Sequence, residues 1–105
     1  MDRMDSARML RDALQTRFGG RLRKMLVFGS TARGCASEGS DIDVLVVVDG
    51  GEDWRTARAV RDAATVVELA ADAVFDLKTT SDVELATLAG RTPFMKQVFM
   101  EGVAV

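Results

Sequence analysis

The stretch FGSTARGCASEGSDIDVLVVV, residues 28–48, decides the reading of this chain. Its second half, DIDVLVVV (41–48), is too rich in β-branched residues for a helix and reads as a strand running into a core. That strand opens on Asp41-Ile42-Asp43. Side chains alternate across a strand, so Asp41 and Asp43 share one face while Ile42 and Val44 take the other. Two carboxylates aimed at one point repel each other unless something compensates them, and a Gly29-Ser30 turn stands in front of them.

Working outward, residues 21–28 (RLRKMLVF) begin by alternating and finish as an apolar run, which predicts a first strand ending at Phe28. Before it, Met4, Ala7, Leu10, Leu14 and Phe18 recur three or four apart, predicting an amphipathic helix over 2–18 that stops at Gly19-Gly20. After the aspartate strand, DGGED closes the element. Ala57, Val60, Ala64, Val67 and Ala71 then give a helix over 54–72 with one small-residue face. Trp54 is expected to anchor its start. AVFDLKT (73–79) alternates as a third strand. Ser81-Asp82-Val83-Glu84 matches a capping box opening a helix through about Ala89, and Pro93 suits the first turn of another ending near Glu101.

Lengths predict a crossover. The strand over 41–48 spans roughly 26 Å at 3.3 Å per residue, and the helix over 54–72 roughly 28 Å at 1.5 Å per residue. The chain therefore returns to its starting end, and the third strand runs parallel to the second. A core-facing Phe75 and Leu77 turn Asp76 outward, to nearly the level of Asp43 if the two strands are adjacent. Asp-x-Asp alone is plainly explained as the polar start of a surface strand; Asp76 argues for more. Three converging carboxylates call for a cation, and a hard all-oxygen donor set favours Mg²⁺ or Mn²⁺ over zinc.

The Gly29-Ser30 turn lies at the same end of the sheet. Glycine admits close approach of a ligand to the backbone, the Ser30 hydroxyl can donate, and the N–H groups of a short helix over Thr31 to Arg33 face an anion. A triphosphate bridging the turn and a carboxylate-bound metal fits both features. Other phosphate loops are excluded: no Gly-Lys-Ser/Thr follows, and the spacing of Gly29, Gly34 and Gly39 is not G-x-G-x-x-G.

Composition narrows the chemistry. The chain has 105 residues and is expected to form one domain over 1–105. Its apolar fraction is 48%, and no run approaches a membrane span. No secretory signal is visible, so the cytoplasm is the expected compartment and no membrane partner is expected. The absence of histidine removes Ser-His-Asp and Cys-His catalysis and zincin sites. Cys35, the single cysteine, can make no internal disulfide. The net charge of −2 divides into +5 over residues 1–34 and −7 beyond. A solvated helix face and a basic strand edge explain this better than a polyanion partner, because no aromatics interleave the basic residues; nucleic acid is not expected as a partner.

GSTARGCASEGSDID resembles the Gly-Ser, ten residues, Asp-x-Asp signature of the DNA polymerase β-like nucleotidyltransferase superfamily. The chain as a whole resembles that superfamily's minimal nucleotidyltransferases, from Gly20 to Val103 in order, with the third acid in VFDLKT and a closing Glu101-Gly102-Val103. The resemblance implies an α/β (α+β) fold, a small mixed sheet with helices packed on it like the polymerase β palm. It implies that Gly29 and Ser30 hold nucleotide phosphates, and with them Arg33 and Ser40 of the same motif. Asp41 and Asp43 would bind metal, and Asp76 would share a second metal and assist the attacking hydroxyl. The implied reaction is transfer of a nucleoside monophosphate, AMP from ATP, with pyrophosphate leaving. Chains of this size resemble the antitoxin half of HEPN/MNT toxin–antitoxin pairs, so the expected acceptor is a hydroxyl on a partner HEPN toxin. The alternatives are transfer to a small molecule, as in aminoglycoside nucleotidyltransferases, and a non-catalytic nucleotide- or partner-binding module.

Overall fold

A computed structural model describes residues 2–34 and 41–105. Ser40, expected among the nucleotide-binding residues, and Cys35 lie outside the described residues. Helix α1 (Arg3–Phe18) opens where the Met4 N–H donates to the Asp2 carboxylate at 3.2 Å, and it closes at Gly19, whose φ of 56° suits glycine. Strand β1 (Leu22–Phe28) leads through a single helical turn, α2 (Gly29–Ala32), and residues 33–41 to strand β2 (Ile42–Val48). Helix α3 (Trp54–Ala71) starts where Asp53 accepts the Arg55 N–H at 2.8 Å, and it returns the chain to strand β3 (Phe75–Thr80). Helix α4 (Asp82–Leu85), a 3₁₀ turn over Leu88–Arg91, helix α5 (Pro93–Glu101) and strand β4 (Val103–Ala104) complete the order.

The four strands form one sheet in the order β3-β2-β1-β4. As the helix length predicts, β3 runs parallel to β2, whereas β1 is antiparallel to both β2 and β4, so the sheet is mixed. Central β2 is covered on both faces, which is why its sequence is a nearly continuous apolar run. On one face α1 and α3 bury Leu10, Leu14, Val60 and Ala64 against Val27, Ile42, Val44, Val46 and Phe75. On the other, α5 places Val98 against Leu26, Phe28, Leu45 and Val47.

Four local features differ from expectation. The helix expected to run to Ala89 ends at Leu85, because the Thr87 hydroxyl donates to the Glu84 carbonyl at 2.5 Å and accepts the Ala89 N–H at 3.2 Å, diverting the backbone into a 3₁₀ turn. The capping box is half formed: Ser81 accepts the Glu84 N–H at 3.0 Å, while the Glu84 carboxylate takes the Thr80 hydroxyl at 2.5 Å. Trp54 begins α3 but is 68% exposed with Arg55 over its ring, so it anchors nothing. The two-residue strand β4 was not expected at all. Among the described residues no helix is long and apolar enough to cross a membrane.

Candidate active site

The parallel pairing of β2 with β3 sets Asp43 directly opposite Asp76. Both point to the sheet face opposite the α1/α3 core, because their neighbours Ile42 and Phe75 are held in that core. Asp41 immediately precedes β2. Its charge, that of Asp76 and a hydrogen bond with Asp76 all reach Asp43. Burial pushes the Asp43 carboxyl above the usual carboxylate range first, the Asp76 charge and hydrogen bond follow, and Asp41 adds to them; Lys78, on the same face of β3, partly opposes the rise. The structure thus gathers the three aspartates anticipated from the sequence. Among the described residues, however, no group of three acidic side chains already stands in metal-ligand geometry.

The first link in this arrangement is steric. Phe28 pairs with Asp43 across β1 and β2, so Gly29, the next residue, lies beside the aspartate. Its φ is 67°, and a β-carbon there would overlap the Asp43 carboxylate, with Cγ only 3.1 Å away. Glycine suits this backbone conformation, and a β-carbon there would push the Asp43 carboxylate aside. The expected short helix is present but starts at Gly29, two residues earlier than Thr31. Ser30 is half-buried within it, and the Thr31 hydroxyl oxygen is buried with no hydrogen-bond partner among the described residues. Arg33 caps the turn through its N–H to the Gly29 carbonyl at 3.2 Å, while its guanidinium reaches Glu101 of α5 at 3.4 Å.

A second link braces Asp76 from behind. β3 is an edge strand, so the outward backbone groups of Phe75 have no strand partner. Helix α3 supplies them: Glu68 accepts the Phe75 N–H at 2.7 Å, Arg61 donates to the Phe75 carbonyl at 3.2 Å, and the two side chains pair at 2.6 Å. Glu68 and Arg61 sit seven residues apart on one helix face, a spacing that hints at their contact but not at their target.

Beside the aspartates, α2 and α5 enclose a cleft of about 190 Å³ lined by Phe28, Gly29, Arg33, Phe94, Gln97, Val98 and Glu101. Sequence reasoning missed it, because α5 was legible as a helix but its seat on the carboxylate face was not. Asp41, Asp43 and Asp76 are the acidic residues brought near one another at this end of the sheet, and an all-oxygen donor set is the type that hard divalent cations take.

A mixed sheet that presents acidic side chains on adjoining strands beside a Gly-Ser turn is the arrangement expected of the nucleotidyltransferase class that the sequence resembles. Comparison with known families agrees with that class: the chain belongs to the family described as "Nucleotidyltransferase domain", which matches residues 7–101. The four-stranded mixed sheet and its helices are consistent with the nucleotidyltransferase fold. The chain is also similar to a protein of Methanocaldococcus jannaschii named "Putative protein adenylyltransferase", 46% identical over 43 residues that cover 41% of this chain and 43% of that protein. The match spans less than half the length of this curated relative.

Proposed function

We propose that this protein transfers a nucleoside monophosphate, AMP from ATP, to a hydroxyl on a partner protein, and that the partner is a HEPN toxin which the modification silences. The observation that carries the transfer reading is the Asp43–Asp76 register beside Gly29. The protein acceptor is supported by the name of the archaeal relative, a protein adenylyltransferase. The HEPN partner rests on the resemblance of the chain to minimal nucleotidyltransferases.

In this reading Gly29 and Ser30 receive the triphosphate at the first turn of α2, and the family resemblance adds Arg33 and Ser40 of the same motif to the nucleotide-binding residues. Asp41, Asp43 and Asp76 would hold Mg²⁺ or Mn²⁺, which supplies charge neutralisation for the triphosphate and acidification of the acceptor hydroxyl. Asp76 faces the acceptor and orients its O–H. The acceptor oxygen forms a bond to the α-phosphorus, the bond from that phosphorus to the bridging oxygen of the β-phosphate breaks, and its electron pair leaves with pyrophosphate. The hydroxyl proton passes to Asp76 or to water. No imidazole is required.

Incubation of the protein with α-labelled ATP, Mg²⁺ and the HEPN-type candidate partner tests this, with Asp41→Asn/Asp43→Asn as control. Label on the partner with the wild type alone is the expected result. A stable complex without label in either case would leave a binding module and overturn the transferase reading, and label on an added aminoglycoside instead would move the acceptor to a small molecule.

A further inference from the structure

The cleft between α2 and α5 differs in chemistry from the acidic site it adjoins. Its floor is apolar, with Phe28 and Val98 buried, and one wall is the ring of Phe94, which meets Phe28 edge to face at 5.8 Å and remains 48% exposed. Its rim is polar: Arg33, Gln97 and Glu101. Arg33 and Glu101 pair with each other, so the rim carries no surplus charge from that pair. A phosphate group would face the Glu101 carboxylate and an apolar floor, while an alkyl chain would cover the Gln97 carboxamide without hydrogen-bonding its second N–H or its oxygen. A flat heterocycle suits every wall, with ring area for Phe94 and a hydrogen-bonding edge for the rim.

Gly29 belongs to both sites, touching the Asp43 carboxylate on one side and lining the cleft on the other. A ligand with phosphates at Asp43 and Gly29 therefore has its other end beside α5. Among the rim residues Gln97 has capacity to spare: its carboxamide nitrogen donates to Glu101 at 3.4 Å, leaving the second N–H and the oxygen for a ligand. A carboxamide pairs with an edge that offers one donor and one acceptor, which a free nucleobase presents, as adenine does through N6 and N7 and guanine through N1 and O6.

We propose that this cleft seats the nucleobase of the substrate, with Phe94 stacking on the ring and Gln97 hydrogen-bonding its edge. The inference rests on the nucleotidyl-transfer reading and deepens it, because it places the base at α5 and not at the Gly-Ser turn.

Equilibrium dialysis in Mg²⁺ with labelled ATP, GTP, CTP and UTP, alongside inorganic tripolyphosphate, tests it on the wild type, Phe94→Ala and Gln97→Ala. The wild type is expected to bind ATP about tenfold or more tighter than tripolyphosphate. Phe94→Ala should weaken ATP about tenfold and Gln97→Ala about fivefold, both leaving tripolyphosphate affinity unchanged. Gln97 is exposed, so its truncation tests the cleft even if Phe94→Ala fails to fold. Tripolyphosphate bound as tightly as every nucleotide, or ATP affinity within twofold of wild type in both variants, would overturn the base assignment and leave the transfer reading standing. Binding of neither tripolyphosphate nor any nucleotide would overturn the transfer reading and this inference with it.

Discussion

Gly29 lies so close to Asp43 that any side chain on it would enter the space of the carboxylate. The glycine thereby leaves room for the aspartate beside the α2 turn, where the proposed phosphate and cation would meet.

Gly29→Ala is expected to cost about 1–2 kcal/mol from the left-handed backbone alone, and more from displacement of Asp43. Transfer should fall at least a hundredfold. Gly34→Ala is the informative control: Gly34 has a φ of 72°, but a β-carbon there would meet nothing within 4 Å among the described residues. It should show the backbone cost as a similar drop in melting temperature and retain most of the activity. Equal loss of activity in the two variants would show that Gly29 matters through its backbone and not through its approach to Asp43.

The raised Asp43 carboxyl makes a prediction about stability. A carboxyl whose pKa is higher folded than unfolded binds more protons in the native state, so stability falls as pH rises from about 4 through the raised value, and the deficit persists at neutral pH. In EDTA, Asp43→Asn should therefore melt at a higher temperature than wild type at pH 7, and the gap should close as the pH is lowered toward 4. A wild type more stable than the variant at pH 7 would contradict the electrostatic reading.

Cation binding should reverse that penalty. At a Mg²⁺ or Mn²⁺ concentration ten times the dissociation constant, the wild type gains about 1.4 kcal/mol, a shift of roughly 5 °C or more for a chain of this size. Asp41→Asn/Asp43→Asn should show no such shift. Thermal melts over a titration of each cation decide it.

Asp76 and its brace separate binding from chemistry. Asp76→Ala should retain ATP binding and lose transfer by at least a hundredfold, because its role falls on the acceptor hydroxyl. Glu68→Ala removes the partner of the Phe75 N–H and leaves Arg61 unpaired, so it should lower the transfer rate about tenfold with little change in ATP affinity. Glu68→Gln, which can still accept the N–H, should recover part of the rate. Rates and dialysis on the same preparations distinguish a loosened Asp76 from a general loss of fold.

Much of the site was legible in the chain because its parts are local. The Gly29-Ser30 turn, the alternation that sets Asp41 and Asp43 together, and Asp76 on the solvent side of an amphipathic strand all follow from periods of two or three to four residues. The parallel pairing was legible too, since a helix as long as its strand brings the chain back to the same end. Two-residue β4 carries no periodicity of its own and exists because β1 offers it an edge, pairing Val103 with Val27 and Ala104 with Leu26. The end of α4 was misread because a capping box announces where a helix starts and says nothing of where Thr87 will interrupt it.

By itself the sequence determined the order of the elements through α5, apart from the 3₁₀ turns, and which strand faces carry Asp43 and Asp76, since side-chain alternation and helical periodicity act between near neighbours. Tertiary structure alone decided that Asp43 stands opposite Asp76, that Glu68 and Arg61 hold the edge of β3, and that Phe94 and Gln97 close a cleft against Gly29. Those relationships join residues far apart in the chain, and they arise from strand register and from the burial of Val98 against the sheet, which no local pattern encodes.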